Sequence, residues 1–135
     1  MTREVHSVEE TWALAREIAA TLKPGDVLCL EGDLGAGKTT FTQGLAKALD
    51  VAGRVTSPTF CIVQEHHGRV LLVHMDLYRL HGEDDVLAIG WEDYLAEGAI
   101  LVVEWPERAG SLVPPDARHV VFRHLDGEER RLISY

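Results

Sequence analysis

The chain has 135 residues, 46% of them hydrophobic, and its 13 basic and 22 acidic side chains leave a net charge of -9. That length suits one domain with a real core, expected over residues 1–135, but has little room for an added substrate domain; the acidity argues against broad, unaided binding to a nucleic-acid backbone, though not against docking to a basic partner. No basic stretch followed by an apolar signal core opens the chain, and no apolar run reaches membrane-spanning length, so the expectation is a soluble cytoplasmic protein without a membrane partner.

Arg3 to His6 reads as a short strand. Ser7 and Glu10 have capping-box spacing, and Trp12, Ala15, Ile18, Ala19 and Leu22 recur on one helical face. Lys23-Pro24-Gly25-Asp26 then turns the chain into an apolar strand, Val27 to Glu31. After it comes Gly32-Asp33-Leu34-Gly35-Ala36-Gly37-Lys38-Thr39, a complete G-x-x-x-x-G-K-[ST] pattern between a strand and a helix-forming run. This is a Walker A phosphate loop. Its glycines permit a tight turn whose backbone N–H groups converge on phosphates, and the helix N-terminus behind it favours negative charge. Lys38 can bridge the β- and γ-phosphates of a nucleotide, while the Thr39 hydroxyl can ligate Mg²⁺.

The following helix carries Phe41, Leu45, Ala48 and Leu49 on an apolar face suited to packing on a sheet. Gly53 and Pro58 punctuate the next connection. Within it, Thr56-Ser57-Pro58-Thr59-Phe60 can form either a nucleotide-sensitive loop, since its hydroxyls can bind water, phosphate or Mg²⁺, or an ordinary capped connection. Phe60 to Gln64 and Val70 to Met75 predict an antiparallel hairpin around His67-Gly68-Arg69, with His66 and His67 facing solvent. A helical segment is expected from Glu83 to Leu95, weakened or divided at Gly90. Ala99 to Val103 suits a buried central strand, and His119 to Phe122 and Arg131 to Ile133 suit later strands around an Asp126-Gly127 turn. The fold class is therefore α/β, a P-loop NTPase-like mixed β-sheet packed with helices. Cys29 and Cys61 lie in apolar segments without a C-x-x-C pair and read as buried free thiols of a reducing compartment.

A phosphate loop needs acidic help to organise Mg²⁺ and water. Two apolar runs end in carboxylates, Leu71-Leu72-Val73-His74-Met75-Asp76 and Ile100-Leu101-Val102-Val103-Glu104, and open α/β sheets place ligands at the carboxyl ends of their strands. Either Asp76 or Glu104 fits the acid that binds Mg²⁺ directly or through water, and Glu104 can also orient the attacking water. The residues alone do not rank the two. His74 shares a strand face with Asp76, which favours an ordinary polar or supporting role over a dedicated metal site. Arg79 fits a phosphate contact, a carboxylate brace or a surface ion pair. Trp91, Trp105 and Tyr78 fit base stacking as well as packing or protein contact.

Four blocks in order, Gly32 to Thr40, Ser57-Pro58-Thr59-Phe60, His74-Met75-Asp76-Leu77-Tyr78-Arg79-Leu80 and Val103-Glu104-Trp105-Pro106-Glu107, resemble the bacterial TsaE family, formerly called YjeE. The resemblance runs from the first strand through Glu107. It implies a small P-loop ATPase that binds Mg-ATP in formation of threonylcarbamoyladenosine at tRNA position 37. The same resemblance implies TsaD and TsaB as partners, with ATP hydrolysis supporting repeated turnover of their assembly and tRNA handled mainly through that complex. Carried onto this chain, it implies ATP binding by Gly32, Asp33, Leu34, Gly35, Ala36, Gly37, Lys38, Thr39 and Thr40 with Thr59. It also implies Mg²⁺ ligation by Thr39, Asp76 and Glu104, catalytic roles for Lys38, Asp76 and Glu104, and a switch-like segment at Ser57, Pro58 and Thr59. Trp105 matches the family's tryptophan beside the acidic site. The alternatives are a small-molecule or nucleoside kinase, which would need an acceptor pocket and a basic lid, and a nonenzymatic nucleotide switch. A GTPase is less favoured because no Asn-Lys-x-Asp segment occurs.

Overall fold

The polypeptide alternates short strands with amphipathic helices, and in a computed structural model, which describes residues 1–32, 36–53, 62–126 and 130–135, these assemble on one seven-stranded sheet. In chain order the elements are β1 (Thr2–Val5), α1 (Val8–Ala19), β2 (Val27–Gly32), α2 (Lys38–Ala48), β3 (Val63–His67), β4 (Leu71–Asp76), α3 (Glu83–Ala88), α4 (Trp91–Ala96), β5 (Ile100–Glu104), β6 (Arg118–His124) and β7 (Arg131–Ser134). A 3₁₀ segment, Pro106–Leu112, links β5 toward β6 and is kinked at Gly110. The spatial order is β1-β7-β6-β2-β5-β4-β3. β2 pairs in parallel with both β5 and β6, and β4 with β5; the pairs β1–β7, β6–β7 and β3–β4 are antiparallel. This is the mixed sheet packed with helices that the sequence predicts.

Strand periodicity sorts the core into two layers. Leu28 and Leu30 of β2, Leu72 of β4, Ile100 and Val102 of β5, and Val120 and Phe122 of β6 face α1 and α2, where they meet Leu14, Ala15, Ile18, Phe41 and Leu45. Val27, Cys29, Val73, Met75, Leu101 and Val103 face the other way, against Val86, Trp91 and Ala109. His74 and Asp76 follow Leu72 in steps of two, and Glu104 follows Val102, so all three side chains belong to the α1–α2 face. That parity decides where the chemistry collects.

Ser7 caps α1 as expected, its side chain accepting from the Glu10 N–H at 3.1 Å. The Glu10 carboxylate reaches back to the His6 N–H, one residue before the cap. Leu14 is buried on the core face, whereas Trp12 is only half-buried at the α1–α2 edge, its indole N–H donating to the Thr40 carbonyl at 3.1 Å and its ring covered by the Lys47 ammonium at 3.9 Å. Gly90 divides the predicted helix into α3 and α4. It stands at φ +100, a left-handed conformation that a continuous helix cannot contain and glycine adopts without steric cost.

The predicted hairpin forms, but its described first strand extends through His67 instead of turning there, and Phe60 and Cys61 lie outside the described residues. His66 and His67 pair with Leu72 and Leu71, so His66 is half-buried, contrary to the solvent-facing expectation. The turn is displaced onto Gly68–Val70 because it docks on the end of α2. The Arg69 N–H donates to the Leu49 carbonyl at 2.8 Å, and the Arg69 guanidinium bonds the Ala48 carbonyl and pairs with Asp50 at 2.8 Å. A tertiary contact, not local turn chemistry, sets this boundary.

Cys29 is a buried free thiol, as expected; Cys61 lies outside the described residues. Among the described residues, no helix is long and apolar enough to cross a membrane.

Candidate functional site

β2 ends at Gly32 and α2 begins at Lys38, so the Walker A segment joins a central strand to a helix. Its residues Asp33, Leu34 and Gly35 lie outside the described residues. Gly32 pairs with Phe122 of β6, and a Cβ built on Gly32 would stand 2.6 Å from the Phe122 carbonyl oxygen. With φ at +148 as well, only glycine fits this close crossing of backbone over backbone.

Gly37 is the N-cap of α2, in the left-handed region, and offers no side-chain hydrogen bond to the helix's first N–H groups. Acidic residues occupy the first turns of α1, α3 and α4: Glu9 and Glu10, then Glu83, Asp84 and Asp85, then Glu92 and Asp93. The first turn of α2 contains none. The starts of α3 and α4 also lack a side-chain cap, but among the described residues α2 is the only α-helix whose first turn is free of carboxylates, and the partial positive charge at that start, behind the 32–37 segment, suits an anion.

Lys38 projects from that turn. Its Nζ donates to the Gly32 carbonyl at 2.7 Å and lies 3.4 Å from Glu104 Oε1. Glu104, at the end of β5, is 7% exposed, and its Oε2 is 2.7 Å from Nε2 of the fully buried His74. Burial alone would raise the Glu104 pKa. The His74 hydrogen bond and charge, together with the Lys38 ammonium, outweigh it and hold the carboxyl below its ordinary value. Asp76 is the direct register partner of Glu104 across β4 and β5. Its Oδ1 accepts the Tyr78 N–H at 3.0 Å, and its backbone N–H donates to the Ile62 carbonyl. The two strand-end acids are therefore neighbours, presented beside the start of α2.

Trp105 turns the chain sharply at this edge. Its φ of 59 and ψ of 53 place a non-glycine residue in the left-handed region, a conformation that costs about 1–2 kcal/mol. Pro106 then starts the 3₁₀ segment. The turn brings the Trp105 ring to 4.9 Å from that of Tyr78, and both aromatics remain exposed. A cleft of 210 Å³ is lined by Leu30, Glu31, Gly32, Lys38, Trp105 and Glu107, so the loop lysine and the tryptophan share one opening. The wider groove of 380 Å³ between α1 and α2 has Glu9, Trp12, Arg16, Gly44 and Lys47 in its walls; none of the strand-end acids lines it.

The profile of the family described as "Threonylcarbamoyl adenosine biosynthesis protein TsaE" matches residues 5–133. The chain belongs to the TsaE family. It is 44% identical over 125 residues to a Bacillus subtilis protein named tRNA threonylcarbamoyladenosine biosynthesis protein TsaE, covering 92% of this chain and 78% of that one. A Treponema pallidum protein of the same name is 39% identical over 93% of each chain, and one from Aquifex aeolicus is 48% identical over 77% of this chain and 75% of its own. A crystal structure of Bacillus subtilis YdiB superposes with a TM-score of 0.77 at 36% identity, covering 98% of this chain and 82% of the other.

Of the residues carried onto this TsaE chain from the resemblance, the described structure brings Gly32, Lys38 and Glu104 into contact, with Asp76 paired beside Glu104. Ala36, Gly37, Thr39 and Thr40 follow in the same loop and first helical turn. Ser57, Pro58 and Thr59, the switch-like segment, lie outside the described residues, as does Thr56. Trp91 is fully buried in the core and is unavailable for base stacking. Arg79 is exposed, with no hydrogen bond or ion pair to the described residues. His74 is the residue that sequence reasoning underweighted. Its parity with Asp76 was visible, but the carboxylate it meets comes from another strand.

Proposed function

We propose that this TsaE-family chain binds Mg-ATP on the 32–39 loop and hydrolyses it to support repeated turnover of a TsaD–TsaB complex in threonylcarbamoylation of adenosine 37 of tRNA. Its family supplies the general role in threonylcarbamoyladenosine biosynthesis. The observation that carries the hydrolytic reading is the position of Lys38, held between the Gly32 carbonyl and the Glu104 carboxylate at the N-terminus of α2. A lysine parked on a carbonyl and a carboxylate is a mobile cation that can turn to nucleotide phosphates. A carboxylate then stands beside the place where phosphoryl transfer would occur.

The two acids are chemically unequal. Both oxygens of Glu104 face donors, Lys38 and His74, which keep it ionised despite burial, so that Oε1 can accept a hydrogen bond from an attacking water and orient it once Lys38 turns to the phosphates. Asp76 is less buried and among the described residues commits only Oδ1, to a backbone N–H. Among the described residues no cluster of three or more His, Cys, Asp or Glu forms a metal site. Mg²⁺ bound with nucleotide draws only one or two protein oxygens and takes the rest of its ligands from phosphates and water. The hydroxyl of Thr39 and the carboxylate of Asp76 have the required hard-oxygen chemistry and would hold it; when bound, the ion neutralises charge on the phosphates. Asp76→Asn should therefore raise the Mg²⁺ concentration needed for half-maximal turnover.

The deciding experiment follows ATP turnover by the pure protein with and without TsaD and TsaB, alongside a screen for newly phosphorylated small molecules. Partner-stimulated phosphate release without a phosphorylated acceptor supports the ATPase reading. A phosphorylated acceptor would make the chain a kinase, and tight nucleotide binding without turnover under either condition would make it a switch.

A further inference from the structure

The surroundings of His74 are apolar on the β5 side, whereas on the β3 side Gln64 is its register partner and His66 pairs with the neighbouring Leu72. Leu72 precedes it on the same face of β4, and Ile100 and Val102 of β5 lie alongside, all buried against α1 and α2. Against these aliphatic neighbours a leucine would pack without polar cost. His74 instead is fully buried, and its Nδ1 has no hydrogen-bond partner among the described residues. An unsatisfied buried nitrogen costs on the order of 1–3 kcal/mol, so packing does not account for a histidine here. Its single strong contact is Nε2 to Glu104 Oε2 at 2.7 Å.

The two partners of Glu104 differ in what happens when nucleotide arrives. Lys38 is the nearer of them to the loop, its tighter bond is to the Gly32 carbonyl, and in the ATPase reading it leaves for the phosphates. His74 approaches from β4, is locked in the core and has nowhere to go. We infer that His74 is a positioning residue: it holds the Glu104 carboxylate in its working orientation once Lys38 has transferred to the nucleotide. A glutamate has three rotatable side-chain bonds, and a 1 Å misplacement of a reacting group can cost about 100-fold in rate. β4 thereby delivers two different supports to the site, Asp76 directly and His74 through Glu104.

This inference rests on the hydrolytic reading of Glu104, so its test includes that residue as a control. Phosphate release at saturating Mg-ATP in the presence of TsaD and TsaB, nucleotide affinity by titration and thermal melting would be measured for wild type, His74→Leu, His74→Gln, Glu104→Gln and the double variant His74→Leu/Glu104→Gln. His74→Leu should lower turnover by about 10- to 100-fold. Its ATP affinity should stay within about threefold of wild type, because positioning acts on the transition state and not on ground-state binding. His74→Gln, whose side-chain amide can donate to the same carboxylate, should recover most of the rate. The double variant should be no slower than Glu104→Gln alone. Should His74→Leu melt too readily to assay, His74→Asn takes its place against His74→Gln, since its shorter amide cannot span to Glu104.

Wild-type turnover in His74→Leu beside a crippled Glu104→Gln would overturn the positioning role and leave the ATPase reading standing. A folded His74→Gln as slow as His74→Leu would also overturn it, by showing that the ring only fills space. Unchanged turnover in Glu104→Gln would remove the hydrolytic role of Glu104 and the inference with it.

Discussion

The Lys38 ammonium and the Glu104 carboxylate face each other at 3.4 Å, each nearly enclosed, at the junction of the phosphate loop with the end of β5. Such a pair is expensive to desolvate, and the lysine's second partner is a bare carbonyl. The arrangement suits a cation held ready for exchange onto a better anion.

Lys38→Ala should leave a folded protein with an intact sheet, because the side chain lies at the site and contributes nothing to either apolar layer. Nucleotide affinity should fall at least about tenfold, equivalent to about 1.4 kcal/mol. Far-UV circular dichroism and an ATP titration check this together; native affinity in a folded Lys38→Ala protein would remove Lys38 from the phosphate site.

Gly32→Ala should damage both the fold and the site. The added methyl carbon meets the Phe122 carbonyl oxygen at 2.6 Å and is fixed at a backbone angle that disfavours it. A loss of about 1–3 kcal/mol in unfolding free energy is expected from the strained backbone, read from urea denaturation, with weaker ATP binding as Phe122 and the loop separate. A midpoint equal to wild type would show that β6 yields at this crossing.

How far the site was legible before the fold is clear from these same residues. The strand-loop-helix around Gly32 to Lys38 follows from a motif whose spacing is local, and Asp76 and Glu104 stand out because each ends an apolar run. Their adjacency was not legible. It arises from the order β2-β5-β4, which nonlocal crossover packing decides, and with it comes the meeting of His74 and Glu104. The turn expected at His67-Gly68-Arg69 falls one residue later because Arg69 docks on Leu49, twenty residues away in the chain, with no local sign of the contact. The left-handed Trp105 was equally invisible, since nothing near it in sequence demands that conformation.

Cys29 should behave as an inert thiol. Burial pushes its pKa up to about 12, and the charges of Glu31 and Glu107 add to the effect. The folded value lies above the ordinary value of 9.0, so the thiol's contribution to stability is complete below pH 9 and is lost as pH rises toward 12. At pH 8, iodoacetamide followed by peptide mass analysis should label Cys29 only after denaturation. Rapid labelling of the native protein would show that the β2 core layer opens far more readily than its packing implies.

The central claim is that ATP hydrolysis at the Lys38–Glu104 site drives repeated cycles of a partner enzyme. The most direct measurement is a reconstituted reaction with TsaD, TsaB, tRNA, threonylcarbamoyl donor and ATP, scoring released phosphate and modified tRNA per TsaD in parallel for wild type and Lys38→Ala. With wild type, phosphate release and several rounds of modification per TsaD are expected; with Lys38→Ala, phosphate release should collapse and modification should stop near a single round. Equal multiple-turnover yields from the two proteins would contradict the account.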